Sequence, residues 1–282
     1  MERASIILFF LAAMFYVAAT VLYVYFFATK SRRMSILATV ATGLGFISHT
    51  LFIVLRWIQI GHPPISGAFD SLAVIAWWVA LAYFLVEHLV RIKVLGVLMV
   101  PIAVFLLAWS GLSYQPGTPE IAEVVRSTRI WLHLAMVFTA YAAFTLAAGA
   151  AVLYLVQERQ LKKKRLDSAF FKRLPPLHQV DELQYRAVVV GVLFATVGLM
   201  LGISQAVARA GTLGVPITWY DSPLVIVALI MWSLYVVYLV LRRYAGWEGR
   251  RAAWLAVLGL AVISVLSYIA RTGRGGFHIF GG

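Results

Sequence analysis

The sequence contains no cysteine. The chain therefore forms no disulfide, offers no thiolate to a metal and makes no thioether bond to a cofactor through its own side chains; any thiol chemistry at its sites comes from a partner. Charge is scarce as well, since 12% of the 282 residues are Asp, Glu, Lys or Arg, against roughly 25% in a soluble domain. That excludes an ordinary soluble globular protein. Strict alternation of apolar and polar residues is missing, and with it the signature of a transmembrane barrel. There is no internal repeat at the roughly 20 to 50 residue period of solenoids and propellers. Nor is any connection long enough for a separate soluble domain, the longest being 114–129 and 156–184.

What is present is apolar. The apolar set makes up 62% of the residues and aromatics 14%, in continuous runs such as VLFATVGLMLGISQAVA. A hydrocarbon core of about 30 Å takes roughly 20 helical residues. Hydropathy predicts helices over 5–28, 35–58, 68–90, 94–113, 130–155, 185–208, 223–241 and 252–270. The expected fold class is all-α: a polytopic membrane protein of about eight transmembrane helices in one bundle, with 1–282 as a single membrane domain. The first apolar run exceeds a secretory core of about 7 to 15 residues, and its basic flank follows it, so it is expected to remain as the first helix.

The net charge of +13 is distributed unevenly. Alternate connections carry TKSRR, RIK, QERQLKKKRLDSAFFKR and RRYAGWEGRR, which hold 16 of the 24 Lys and Arg. The positive-inside rule assigns these four to the cytoplasm and both termini to the outside. Charge of this kind implies a lipid bilayer as partner and no nucleic acid.

Histidines and a few polar groups are left to carry chemistry. His62 in the turn GHPP, His88 at the inner end of helix 3 and His178 in the inner loop LPPLHQVDEL are expected to be solvated or interfacial. His49 differs, because helix 2 carries it roughly 21 Å from its inner end, near mid-bilayer. There an imidazole is either part of a functional site or a neutral group bonded to a neighbouring helix. His133 at the start of helix 5 and His278 in the terminal GRGGFHIFGG both fall on the outer face, where two neutral imidazoles suit one metal centre. His278 is equally compatible with a frayed, solvated tail. The outer segment TWYDSP supplies Trp219 and Tyr220, as a flat aromatic surface or as interfacial anchors. It also supplies Asp221, either the N-cap of helix 7 or a partner orienting an imidazole. Arg126, Arg129, Arg271 and Arg274 are candidates for bidentate pairing with carboxylates or for interfacial anchoring.

Several ordered segments resemble the cytochrome c assembly proteins of the CcsA type, and especially their HemX-like branch. FISHTLFIVLRW (46–57) is similar to that family's helix with an intramembrane His, and PISGAFDSLAVIAW (64–77) to its P-L-S-N-L-Y-E-S segment. WLHLAMVFTAYAAFTLAAGAAVLYLVQERQLKKK is similar to its helix beginning with a haem-ligating His, and VDELQYR (180–186) to its L-D-x-L-x-Y-R. The last helix and GGFHIFG resemble its terminal G-L-H-S-Y/F-G. The family's W-G-x-x-W-x-W-D is reduced here to TWYD, and Val240 stands where its second intramembrane His belongs.

The resemblance implies haem handling in a bacterial cytoplasmic membrane. His133 and His278 map onto the two outer ligands of haem b iron, with Trp219, Tyr220 and Asp221 in the loop that presents it. His49 maps onto a ligand for haem in transit. The implied function is cytochrome c maturation or haem supply, as a component of a haem-attachment system and not as an enzyme on its own. Implied partners are haem and either apocytochrome c or another cytochrome assembly protein. The alternative is a membrane regulator or scaffold that contacts a haem-biosynthesis enzyme without binding haem. The charge pattern alone yields one test: reporters fused after Lys164 and after Gly282 are expected to report opposite sides of the membrane, and agreement between them removes the assigned outer face.

Overall fold

The computed structural model describes residues 2–29, 31–65, 67–114, 128–163, 174–213 and 223–272, with side chains from 3 to 208 and from 223 to 266 within those ranges. Over these residues the chain forms α1 (Glu2–Thr29), α2 (Arg32–Ile60), α3 (Gly67–Leu89), a 3-10 turn (Lys93–Leu95), α4 (Gly96–Leu112), α5 (Thr128–Lys162), α6 (Leu177–Leu213), α7 (Pro223–Tyr244) and α8 (Arg250–Thr272). The described residues contain no strand. Seven of the described helices are long and apolar enough to cross a membrane. In hydrocarbon the backbone must satisfy its own N–H and C=O groups, and a helix does so within one segment. Side-chain hydroxyls are silenced in the same way: Thr42, Thr145 and Thr196 each donate to the carbonyl one turn back, at 2.8 Å.

Hydropathy located every helix but cut two of them short. α5 has 35 residues and α6 has 37, so each is over about 50 Å long and outruns a hydrocarbon core of about 30 Å. The extra turns carry Gln, Glu, Lys and Leu, which favour helix while lowering hydropathy. His178 and the VDELQYR segment consequently belong to α6 and not to a loop. α4 runs on through Pro101 as one helix.

The chain forms two compact units, Met1–Pro119 with Val156–Gln179, and Glu120–Leu155 with Val180–Gly282. In the first, α1 packs along α2, α3 along α4 and α1 along α4. Tyr16, Tyr23, Tyr83, Phe52, Leu95, Met99 and Leu107 are fully buried in it. At its basic end one buried carboxylate ties the helices together. The Tyr23 hydroxyl donates to Glu87 Oε2 at 2.7 Å, and Thr39 also donates to Glu87. Lys93 Nζ donates to Thr39 Oγ1 at 3.0 Å and lies 3.6 Å from Glu87 Oε1. At the opposite end Arg56 forks onto Asp70, Nε to Oδ1 at 3.0 Å and Nη2 to Oδ2 at 3.4 Å.

The second unit has a core of Phe144 stacked on Tyr235, with ring centroids 3.8 Å apart. Its basic end is closed by Asp181 on α6, whose two oxygens take Arg242 Nη1 at 3.1 Å and Nη2 at 2.6 Å from α7. The Gly249 N–H, just ahead of α8, donates to Asp181 Oδ1 at 3.2 Å. Arg242 also lies over the Tyr185 ring at 4.7 Å, and Gln184 donates to the Tyr238 hydroxyl at 2.9 Å.

Each unit is built on the same plan. Tyr16 of α1 packs on Gly45 of α2, and Phe144 of α5 packs on Gly191 of α6. Trp77 donates to Thr50 at 2.8 Å across α2 and α3, and Trp232 to Thr196 at 2.8 Å across α6 and α7. The spacing from Gly45 to Thr50 and Gln59 on α2 recurs from Gly191 to Thr196 and Gln205 on α6. The spacing of Trp77, Tyr83 and Glu87 recurs in Trp232, Tyr238 and Arg242. Such a repeat, one half of the chain long, lies far outside the period of a solenoid.

Asp181 and Arg242 have side chains only 11% and 10% exposed, so removing one leaves the other charged and nearly dry. Arg242→Met is expected to destabilise the second unit by about 3 kcal/mol or more, read as a fall in the thermal unfolding midpoint in detergent. Asp181→Asn combined with Arg242→Met is expected to recover most of that loss.

Candidate functional site

His133 lies in the second turn of α5, half-buried against α6. Its Nδ1 lies 2.7 Å from the Gly198 carbonyl oxygen. A carbonyl only accepts, so Nδ1 carries the proton and Nε2 keeps its lone pair. No described residue hydrogen-bonds to that Nε2. This is the state of a neutral imidazole prepared as a metal ligand: one nitrogen fixed by a backbone carbonyl, the other able to donate its electron pair. His133 therefore fits a residue that would hold a metal or haem iron through Nε2. Nearby, Gln205 of α6 donates to the Arg129 carbonyl at 2.9 Å, fixing the first turn of α5.

His49 is fully buried on α2. The Tyr16 hydroxyl is 3.5 Å from its Nδ1, which is long for a hydrogen bond, and Phe52 packs beside the ring at a centroid distance of 6.2 Å. The Ala73 backbone interacts with the ring, yet Nε2 makes no hydrogen bond of acceptable geometry to any described residue. A buried polar atom in that condition costs about 1 to 3 kcal/mol, which makes His49 a candidate ligand position.

His62 corrects an expectation. It is 3% exposed and not solvated, with Nδ1 2.8 Å from the Pro63 carbonyl, and it lies within electrostatic reach of Asp70. The turn 61–65 follows α2, and the Arg56–Asp70 pair joins the helices on either side of it. Sequence inspection passed over this pair, although an acid in the first turn of a membrane helix was a usable signal. The same holds for Glu87 and Asp181, which are buried and paired. His88 and His178 are exposed, as expected.

Trp219, Tyr220, Asp221 and His278 lie outside the described residues, as does Arg126; the side chains of Arg271 and Arg274 do too. Arg129 is exposed at the start of α5. Val240, at the place of a second intramembrane His, is 48% exposed. No group of three or more His, Asp or Glu converges on a point among the described residues. The imidazoles thus stand as separate ligand candidates.

Apolar helices with paired charges near their ends and isolated neutral imidazoles define a polytopic helical membrane protein. The chain belongs to the cytochrome c assembly protein family, whose model matches residues 65–278. It is 29% identical over 280 residues to the cytochrome c biogenesis protein CcsA of Synechococcus sp. (strain CC9605), covering 91% of this chain and 90% of that one. It is 31% identical over 256 residues to CcsA of Synechococcus sp. (strain CC9902), covering 82% of each. Against CcsA of Prochlorococcus marinus (strain MIT 9303) the identity is 29% over 284 residues, covering 91% of this chain and 87% of the relative.

His49→Leu removes the unpartnered nitrogen while filling the space, so the unfolding midpoint in detergent is expected to stay level or rise. If His49 is a ligand, haem content falls in the same variant; unchanged haem content removes His49 from any site.

Proposed function

We propose that this protein handles haem in cytochrome c maturation or haem supply, holding haem b at the outer face of a bacterial cytoplasmic membrane between His133 and His278. The single observation that carries this reading is the His133 geometry, with Nδ1–H on the Gly198 carbonyl and Nε2 open. Membership of the cytochrome c assembly family and likeness to relatives named cytochrome c biogenesis protein CcsA support the choice of cargo.

In this reading both termini are outside and the whole chain works as one membrane domain. Bound haem brings the iron and the porphyrin that is joined to thiols of an apocytochrome. This chain, with no cysteine, contributes none of the sulfur. Its own residues bind and orient: His133 and His278 each offer a neutral imidazole, which adds no charge beside hydrocarbon. Asp221 orients an imidazole through its N–H, and Trp219 and Tyr220 offer a flat apolar surface. Outer arginines such as Arg129 pair with the carboxylates of the cargo. His49, with its orphaned Nε2, is the ligand for haem in transit. Apocytochrome c or another assembly protein is the partner.

The reduced TWYD and the exposed Val240 favour the HemX-like branch. They also sustain a second reading, in which the chain regulates or scaffolds a haem-biosynthesis enzyme without holding haem. The two readings part in the optical spectrum of the detergent-purified protein. A Soret band is expected in the wild type. His133→Ala and His278→Ala are each expected to lose haem or to pass from low spin to high spin, with partial recovery on adding imidazole. If both variants keep the wild-type haem content and spectrum, the regulator reading replaces the first.

A further inference from the structure

The first unit supplies an internal control for the His133 site. Matching Gly45 with Gly191 and Tyr16 with Phe144 brings Ser5 of α1 into register with His133 of α5, and Gln59 into register with Gln205. In the first unit Ser5 donates to Gln59 Oε1 at 3.2 Å. The α2 residues at the register of Gly198 and Gly202 are Phe52 and Arg56, a buried ring and the partner of Asp70. Where the shared plan has no imidazole on the first helix, the second helix has bulk; where it has His133, the second helix has two glycines one turn apart.

Their geometry explains why. A Cβ at Gly202 would lie 2.7 Å from His133 Cε1 and 3.0 Å from Nδ1. Any side chain there pushes the ring off α6 and breaks the 2.7 Å bond to the Gly198 carbonyl. That carbonyl has a second lone pair, so it can accept the imidazole N–H alongside its helical bond. At Gly198 a Cβ would lie 3.2 Å from Val137 Cγ2, so this glycine sets how closely α5 approaches at the turn below His133.

We propose that Gly198 and Gly202 are positioning residues that hold His133 as the Nδ1–H tautomer with Nε2 open before any ligand arrives. The inference rests on the reading of His133 as a ligand for its purpose, but its geometry is testable without haem. Full-length protein is purified haem-free in detergent with nitrogen-15 histidine, and the His133 resonances are assigned by their loss in His133→Gln. The wild type is expected to show an amine-type Nδ1 and an imine-type Nε2. Gly202→Ala is expected to disturb that pattern and to weaken haem binding in a titration by about tenfold or more, the scale of losing an orienting partner. Gly43→Ala is the control, since a Cβ there meets nothing within 4 Å, and it is expected to change neither. A packing role alone would leave the tautomer unmoved. An Nε2–H tautomer in the wild type overturns the inference, and that measurement needs no variant beyond the assignment. So does a Gly202→Ala protein that matches Gly43→Ala in both readouts. Retention of haem by His133→Ala sinks the ligand reading instead and leaves the tautomer result standing.

Discussion

A charge or polar hydrogen buried beside hydrocarbon is stable only when another group in the protein answers it, and the internal construction of each unit follows from that requirement. Asp181 is the clearest case. One carboxylate takes both arms of Arg242 and the Gly249 N–H, so three elements of the second unit meet at two oxygens. Glu87 does equivalent work in the first unit with Tyr23, Thr39 and Lys93. In both cases the pair lies at the basic end of its unit, where the helices leave the hydrocarbon. The rest of the helix interiors is filled mainly by aromatic, aliphatic and small residues.

The two units reach this end by different chemistry on one plan. Glu87 on α3 and Arg242 on α7 occupy corresponding positions with opposite charge. The partner charge is moved accordingly, to Lys93 after α3 in one unit and to Asp181 on α6 in the other. The Trp-to-Thr hydrogen bonds at mid-helix are kept unchanged, because an indole N–H in an apolar interior has few alternatives to a neighbouring hydroxyl. The units also differ at Ser5 against His133: Ser5 donates to Gln59 of α2, whereas His133 bonds the Gly198 carbonyl of α6.

The histidines differ in how their rings are held. His62 and His133 each bond Nδ1 to a backbone carbonyl, His62 to its own neighbour Pro63 and His133 across to another helix. The cross-helix bond fixes the ring relative to α6, which a local bond in a turn cannot do. His49 has neither arrangement, and its Nε2 is left without a hydrogen bond among the described residues. Tyr16, Phe52 and the Ala73 backbone lie beside that ring.

The sequence by itself determined the class and the number and order of helices, because each of these depends on local composition summed over a span. The candidate ligands His49 and His133 were legible too, as imidazoles at membrane depth and at a helix start. The true ends of α5 and α6 were not, since helix persists through polar residues that hydropathy discounts. The pairings of Arg56 with Asp70, Lys93 with Glu87 and Arg242 with Asp181 were equally hidden, because residues far apart in the chain carry no mark of which will meet. Only the tertiary structure decided that Gly202 is the floor beneath His133 and Gly198 its acceptor. A hydrogen bond of that kind depends on the rotation and separation of two helices, and those are set by packing rather than by any one segment.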